Sequence, residues 1–115
     1  MRIDVHAHYF PDEYLDLLKR FGDDTTDGAR GLGAGGSQAE LEARFELMKA
    51  ANVQMQLLSV SPQLPSFEDR TSAIEGARMA NNLYADLVRR YPRRFAALAA
   101  LPLPHMEAAL AEMSR

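Results

Sequence analysis

Cysteine does not occur in this chain of 115 residues. Its absence excludes a disulfide framework, a thiolate metal ligand and a cysteine nucleophile. Long apolar runs are missing as well. No stretch approaches the ~20 residues of a membrane span, and residues 1–11 lack the basic region and apolar core of a signal peptide. No membrane association is expected, and the expected compartment is the cytoplasm. A surplus of positive charge is also absent, with 13 basic against 16 acidic residues and a net charge of -3. Without a basic stripe to replace counterions, no nucleic-acid partner is expected. The one dense basic cluster, Arg89, Arg90, Arg93 and Arg94, reads as a solvated helix end favoured by the helix dipole.

Glycine is concentrated in residues 22–36, where Gly22, Gly28, Gly31, Gly33, Gly35 and Gly36 stand among small and acidic residues. No Lys-Ser/Thr ending follows and no strand leads into the segment, so it is not a phosphate-binding loop. No strand or helix is expected to persist there, and high mobility is expected across 23–36. Arg30, in the middle of this loop, reads as solvated.

The rest of the chain alternates. Residues 2–5 form a short apolar strand; Pro11 then suits a helix start, with Tyr14, Leu17, Leu18 and Phe21 as its stripe. Ser37-Gln-Ala-Glu40 is a capping box, followed by Leu41, Phe45 and Met48 at helical spacing to about Ala51. Residues 53–60 read as a second strand that Pro62 and Pro65 end. Ser72-Ala-Ile-Glu75 is a second candidate capping box, and Ala77, Ala80, Tyr84, Leu87 and Tyr91 continue that helix to Pro92. Residues 95–101 are a third strand, and the chain reaches Arg115 in a beginning helix. Connections of this length favour crossovers, hence an α/β fold with about three parallel strands and helices outside. Residues 1–115 are one unit. Three strands leave an apolar face and two edges open, so further chain or another copy is expected to cover them.

His6 and His8 are separated by one residue at the end of the first strand. Alternate residues of a strand share a side, so the two imidazoles are placed to share an ion such as zinc. Alone, His-x-His is a weak signal. Its place at the carboxyl end of a parallel strand, where active-site loops gather, strengthens it. Asp4 fits either an imidazole-orienting role or a structural one on the opposite side. Tyr9 and Phe10 fit either a substrate mouth or packing against helices.

Four segments together resemble the amidohydrolase-related, metal-dependent hydrolase family, in particular the branch typified by aminocarboxymuconate semialdehyde decarboxylase. They are Arg2-Ile-Asp-Val-His-Ala-His-Tyr-Phe-Pro11, Arg44-Phe-Glu-Leu-Met-Lys-Ala-Ala-Asn-Val53, Met79-Ala-Asn-Asn-Leu-Tyr84 and Tyr91-Pro-Arg-Arg-Phe95 with the apolar run to Pro102. The resemblance implies the amino-terminal part of a distorted TIM barrel, with His6 and His8 as ligands of a divalent metal, usually zinc. The family's later ligands, histidines on subsequent strands and a late aspartate, have no counterpart in these 115 residues. His105 follows Pro104 at a helix start and is read as a surface or capping residue. No catalytic residue is assigned.

Two functions follow for comparison. In the first, the chain belongs to a metal-dependent decarboxylase, or a related hydrolase, acting on a small carboxylic acid when full length; the 115 residues by themselves are expected to be inactive. In the second, it is a non-catalytic small protein that covers its open face as a homo-oligomer. A reading frame that continues through further strands favours the first.

Overall fold

The computed structural model describes residues 1–115. Its elements run β1 (Ile3–His8), α1 (Asp12–Arg20), a 3-10 turn (Thr26–Ala29), α2 (Gln38–Ala50), β2 (Met55–Ser59), α3 (Arg70–Arg90), β3 (Phe95–Ala97) and α4 (Met106–Ser114). The strands form one sheet in the order β1-β2-β3, and both pairings are parallel. This is the expected partial barrel.

The strand boundaries differ from expectation, each for a local reason. The first strand runs on to His8 instead of ending at residue 5. The second is shorter than 53–60 because its first residues are used to close α2. Asn52 takes a left-handed φ of 55°, and Val53 N–H donates back to the Met48 carbonyl at 2.8 Å. The third ends well before residue 101 because Asn81 of α3 captures the chain beyond it. The Asn81 amide donates to the Ala100 carbonyl (2.8 Å) and accepts from Ala100 N–H (2.7 Å), replacing ladder bonds with a side-chain clamp.

Helix starts show the same sensitivity. The α2 capping box forms as read, with Ser37 Oγ accepting from Glu40 N–H. For α3 the expected cap was Ser72, but Asp69 is the cap and accepts from both Ser72 N–H (2.8 Å) and Ser72 Oγ (2.7 Å). Ser72 is thus the recipient of a cap three residues upstream. In α1 the acidic first turn, Asp12 and Glu13, and basic last turn, Lys19 and Arg20, both favour the helix dipole.

The core lies between the helices and one face of the sheet. Tyr14, Leu15 and Leu18 of α1, Leu41 and Met48 of α2, and Ala80, Tyr84 and Leu87 of α3 close on Leu58 and Phe95. The opposite face is open: Ile3, Val5 and Leu98 are 48%, 71% and 54% exposed.

The glycine-rich segment is more structured than its composition suggests. It contains the 3-10 turn, with Thr26 and Ala29 buried. Lys19 of α1 pairs with Asp27 at 2.9 Å, and Ala34 accepts from Phe10 N–H at 2.6 Å. Arg30 stays at the surface but is not free: its guanidinium reaches Asp16 (2.6 Å), Asp12 (3.3 Å) and Asp27 (3.5 Å). Three carboxylates from the loop and α1 therefore tie it to the helix surface. The basic cluster is also partly engaged, since Arg94 lies 4.8 Å from the Phe45 ring centroid.

Candidate metal centre

The two sequence-predicted ligands are brought together. The His6 and His8 rings lie edge to face with centroids 5.2 Å apart, at the carboxyl end of β1. His6 is exposed and His8 half-buried. His8 also stacks on Phe10 (5.6 Å, 14° between planes), which holds the imidazole flat against a buried ring. His8 Nδ1 is buried with no hydrogen-bond partner. A buried polar nitrogen left without a partner by the chain is the kind of atom that an ion or water serves. Two adjacent imidazoles of this kind fit part of a divalent-metal site. They do not complete one, because no third His, Asp or Glu joins them and a catalytic zinc takes three protein ligands.

The backbone around the pair departs from simple alternation. Asp4 is opposite Gln56 and Ala7 opposite Leu58, so β1 advances three residues while β2 advances two. This bulge puts both Asp4 and Ala7 on the helix-covered face, beside Gln56 and the fully buried Leu58. Asp4 is therefore on the structural side. Its Oδ1 accepts from His6 N–H (3.0 Å) and its Oδ2 from the Gln56 amide (3.1 Å), while neither imidazole is its partner.

Tyr9 and Phe10 are buried at 4% and 5% exposure, so packing is their role. Tyr84 donates its hydroxyl to the Tyr9 carbonyl and the two rings pack 5.3 Å apart. Burial raises the pKa of both phenols. His105 occupies the N-cap position of α4 without a side-chain cap bond; its Nε2 instead lies 2.9 Å from the Phe67 carbonyl, tying the start of α4 to the segment before α3.

Arg44 was not singled out by the sequence reading. From α2 it donates through Nη1 to Gln56 Oε1 (2.9 Å) and through Nη2 to the His8 carbonyl (2.6 Å). Burial pulls its pKa below the ordinary value. A signal was present in the sequence: Arg44 falls three residues after Leu41 and four before Met48, inside the buried stripe of its helix.

A profile of the amidohydrolase family matches residues 3–115. The chain belongs to the amidohydrolase family. Within this amidohydrolase family the chain is similar to gamma-resorcylate decarboxylase of Rhizobium radiobacter, at 41% identity over 75 residues, 64% of this chain and 23% of that protein. The match thus spans under a quarter of the length of the relative. The fold is similar to that of 2,6-dihydroxybenzoate decarboxylase complexed with 2,6-dihydroxybenzoate, with a TM-score of 0.74 and 30% identity; the match covers 99% of this chain and 35% of that one. It is also similar to a dihydroxybenzoic acid decarboxylase from Polaromonas sp. JS666 with bound manganese and the inhibitor 2-nitroresorcinol. There the TM-score is 0.74 and the identity 28%, over 99% of this chain and 34% of that one. Relatives of this amidohydrolase chain therefore include decarboxylases of small aromatic acids, and one of them holds a divalent metal.

Proposed function

We propose that this chain contributes His6 and His8 to the divalent-metal site of a decarboxylase acting on a small aromatic carboxylic acid. The observation that carries the reading is the imidazole pair at the carboxyl end of β1, with His8 Nδ1 buried and unpartnered. The similarity to gamma-resorcylate and 2,6-dihydroxybenzoate decarboxylases supports the aromatic-acid class. Two imidazole donors suit zinc, whereas the Polaromonas relative holds manganese; we take zinc as the first ion to test and manganese as the second. A metal held by His6 and His8 would supply electrophilic stabilisation of the negative charge left on the substrate when carbon dioxide is lost. The chain's own part is to hold two neutral imidazoles in a fixed mutual orientation, with Phe10 packed behind His8.

The test is metal binding by the purified chain, read by calorimetry with zinc and with manganese, and carbon dioxide release from 2,6-dihydroxybenzoate by a full-length protein that carries these residues. Replacing either His6 or His8 by alanine is expected to remove most bound metal. Unchanged binding in both variants overturns the assignment. Metal-dependent hydrolysis without carbon dioxide release would move the reading to a hydrolase.

A second reading, self-association, is favoured by the exposed Ile3, Val5 and Leu98 on the open sheet face. A non-catalytic oligomer is expected to show concentration-dependent sedimentation and no histidine-dependent metal uptake. No helix is long and apolar enough to cross a membrane. A cytoplasmic location is part of the proposal, supported by the lack of cysteine.

A further inference from the structure

The backbone on either side of the histidine pair is held by side chains where the strand ladder slips. At the bulge between Asp4 and Ala7, His6 N–H is taken by its own strand's Asp4 Oδ1 (3.0 Å). Asp4 Oδ2 accepts from Gln56 Nε2 (3.1 Å), and Gln56 Oε1 accepts from Arg44 Nη1 (2.9 Å). Arg44 Nη2 completes the path at the His8 carbonyl (2.6 Å). Three side chains, from β1, β2 and α2, thus run from the amide of one candidate ligand to the carbonyl of the other.

The chemistry of the path has one consistent direction. A carboxylate only accepts and a guanidinium only donates, so the Gln56 amide between them must present its nitrogen to Asp4 and its oxygen to Arg44. Reversing that amide would set donor against donor at one end and acceptor against acceptor at the other. Both charge-assisted bonds of Arg44 end on neutral oxygens, and Gln56 links its charge to that of Asp4. A half-buried guanidinium is costly, and here its Nε is left buried without a partner while Nη1 and Nη2 are used. A pair of apolar side chains would fill this space at less cost, which points to a role other than filling it.

We propose that Asp4, Gln56 and Arg44 form a positioning relay that fixes the backbone at His6 and His8 and thereby sets the mutual orientation of the two imidazoles. This inference rests on the metal-site reading for its benefit, but its geometric content is separate. None of the three residues bonds to an imidazole; they reach the pair through the His6 amide and the His8 carbonyl. They act through the histidines, as supporting groups around metal ligands do.

The test uses the purified protein with labelled histidines. The chain has three, and His105, bonded to the Phe67 carbonyl, serves as an internal reference away from the relay. Gln56→Leu breaks the relay in the middle, Arg44→Met breaks it at the His8 end, and Arg44→Lys restores a charge able to reach one acceptor. In the metal-free protein, Gln56→Leu and Arg44→Met are expected to shift the imidazole nitrogen resonances of His6 and His8 while leaving those of His105 in place. Affinity for zinc or manganese is expected to fall by about 10–100-fold in the same variants, with part of the loss recovered in Arg44→Lys. If Arg44→Met does not fold, Gln56→Leu decides, since it keeps the guanidinium and its bond to His8. Wild-type resonances and affinity in folded Gln56→Leu overturn the relay while His6→Ala and His8→Ala still lose metal. Metal affinity that survives the two alanine variants instead defeats the metal-site reading, and the metal-free resonances then decide the relay alone.

Discussion

The two faces of the sheet are built from similar apolar residues and differ in almost everything else. On the covered face Leu58 is fully buried and Phe95 1% exposed, sealed by side chains from α1, α2 and α3. On the open face Val5 is 71% and Leu98 54% exposed. Apolar character alone thus says that a residue wants cover; only the packing of the helices decides which residues receive it. The covered face carries the stability of this unit. The histidine pair lies at the strand end where these two environments meet, with His6 exposed and His8 backed by buried Phe10.

The sharpest way to break this comparison is to make equivalent truncations on both faces. Leu58→Ala is expected to cost about 2–5 kcal/mol, the range for deleting a buried leucine side chain. Val5→Ala is expected to stay within about 0.5 kcal/mol, as exposed positions do. Urea unfolding of the two variants measures the difference, and equal losses would show that the open face is covered in solution. Tyr14→Phe comes next. The Tyr14 hydroxyl donates to the buried Gln63 carbonyl at 2.6 Å, and burial drives its pKa strongly upward, so it remains a donor throughout the ordinary pH range. Leaving that carbonyl unpaired is expected to cost about 1–3 kcal/mol, read from the same unfolding curves.

At the margin of the covered face, Ser37→Ala removes the α2 cap and is expected to cost about 1 kcal/mol. A shift in midpoint without a change in denaturant slope would confirm that only the helix end was touched. The smallest effect is in acid. Hydrogen bonds from Ser72 hold the Asp69 carboxyl below its ordinary pKa, and Arg115 with Asn81 does the same for Glu112. Because these groups bind protons less readily when folded, their contribution is present above the ordinary carboxylate pKa and is lost as pH falls through the folded values. Unfolding midpoints taken from pH 7 down to pH 3 are expected to decline, and less steeply in Asp69→Ala. An identical decline in that variant would remove Asp69 from the account.

Much of this fold was legible in the residue pattern. The apolar spacing of Tyr14, Leu17 and Leu18, the capping box at Ser37 and the stripe from Ala77 to Leu87 all describe local geometry, and the helices form there. Strand ends were harder to read. Val53 and Ala100 have the composition of strand residues but are drawn away by the α2 cap and by Asn81. The ion pairs of Arg30 were not legible because its partners Asp12 and Asp16 lie on a different element, 18 and 14 residues earlier. Arg44 sat within an apolar stripe, yet its acceptors belong to two different strands.

The sequence by itself determined the alternation of elements, the parallel crossovers and the nearness of His6 and His8, because periodicity and spacing are properties of a few consecutive residues. Only the tertiary structure decided the face on which Asp4 lies, the anchoring of the glycine-rich loop and the path from Asp4 through Gln56 to Arg44. The physical reason is the bulge in β1: one extra residue in a ladder reverses the side on which later side chains emerge. Whether that residue is accommodated depends on the pairing strand and on a helix more than thirty residues away.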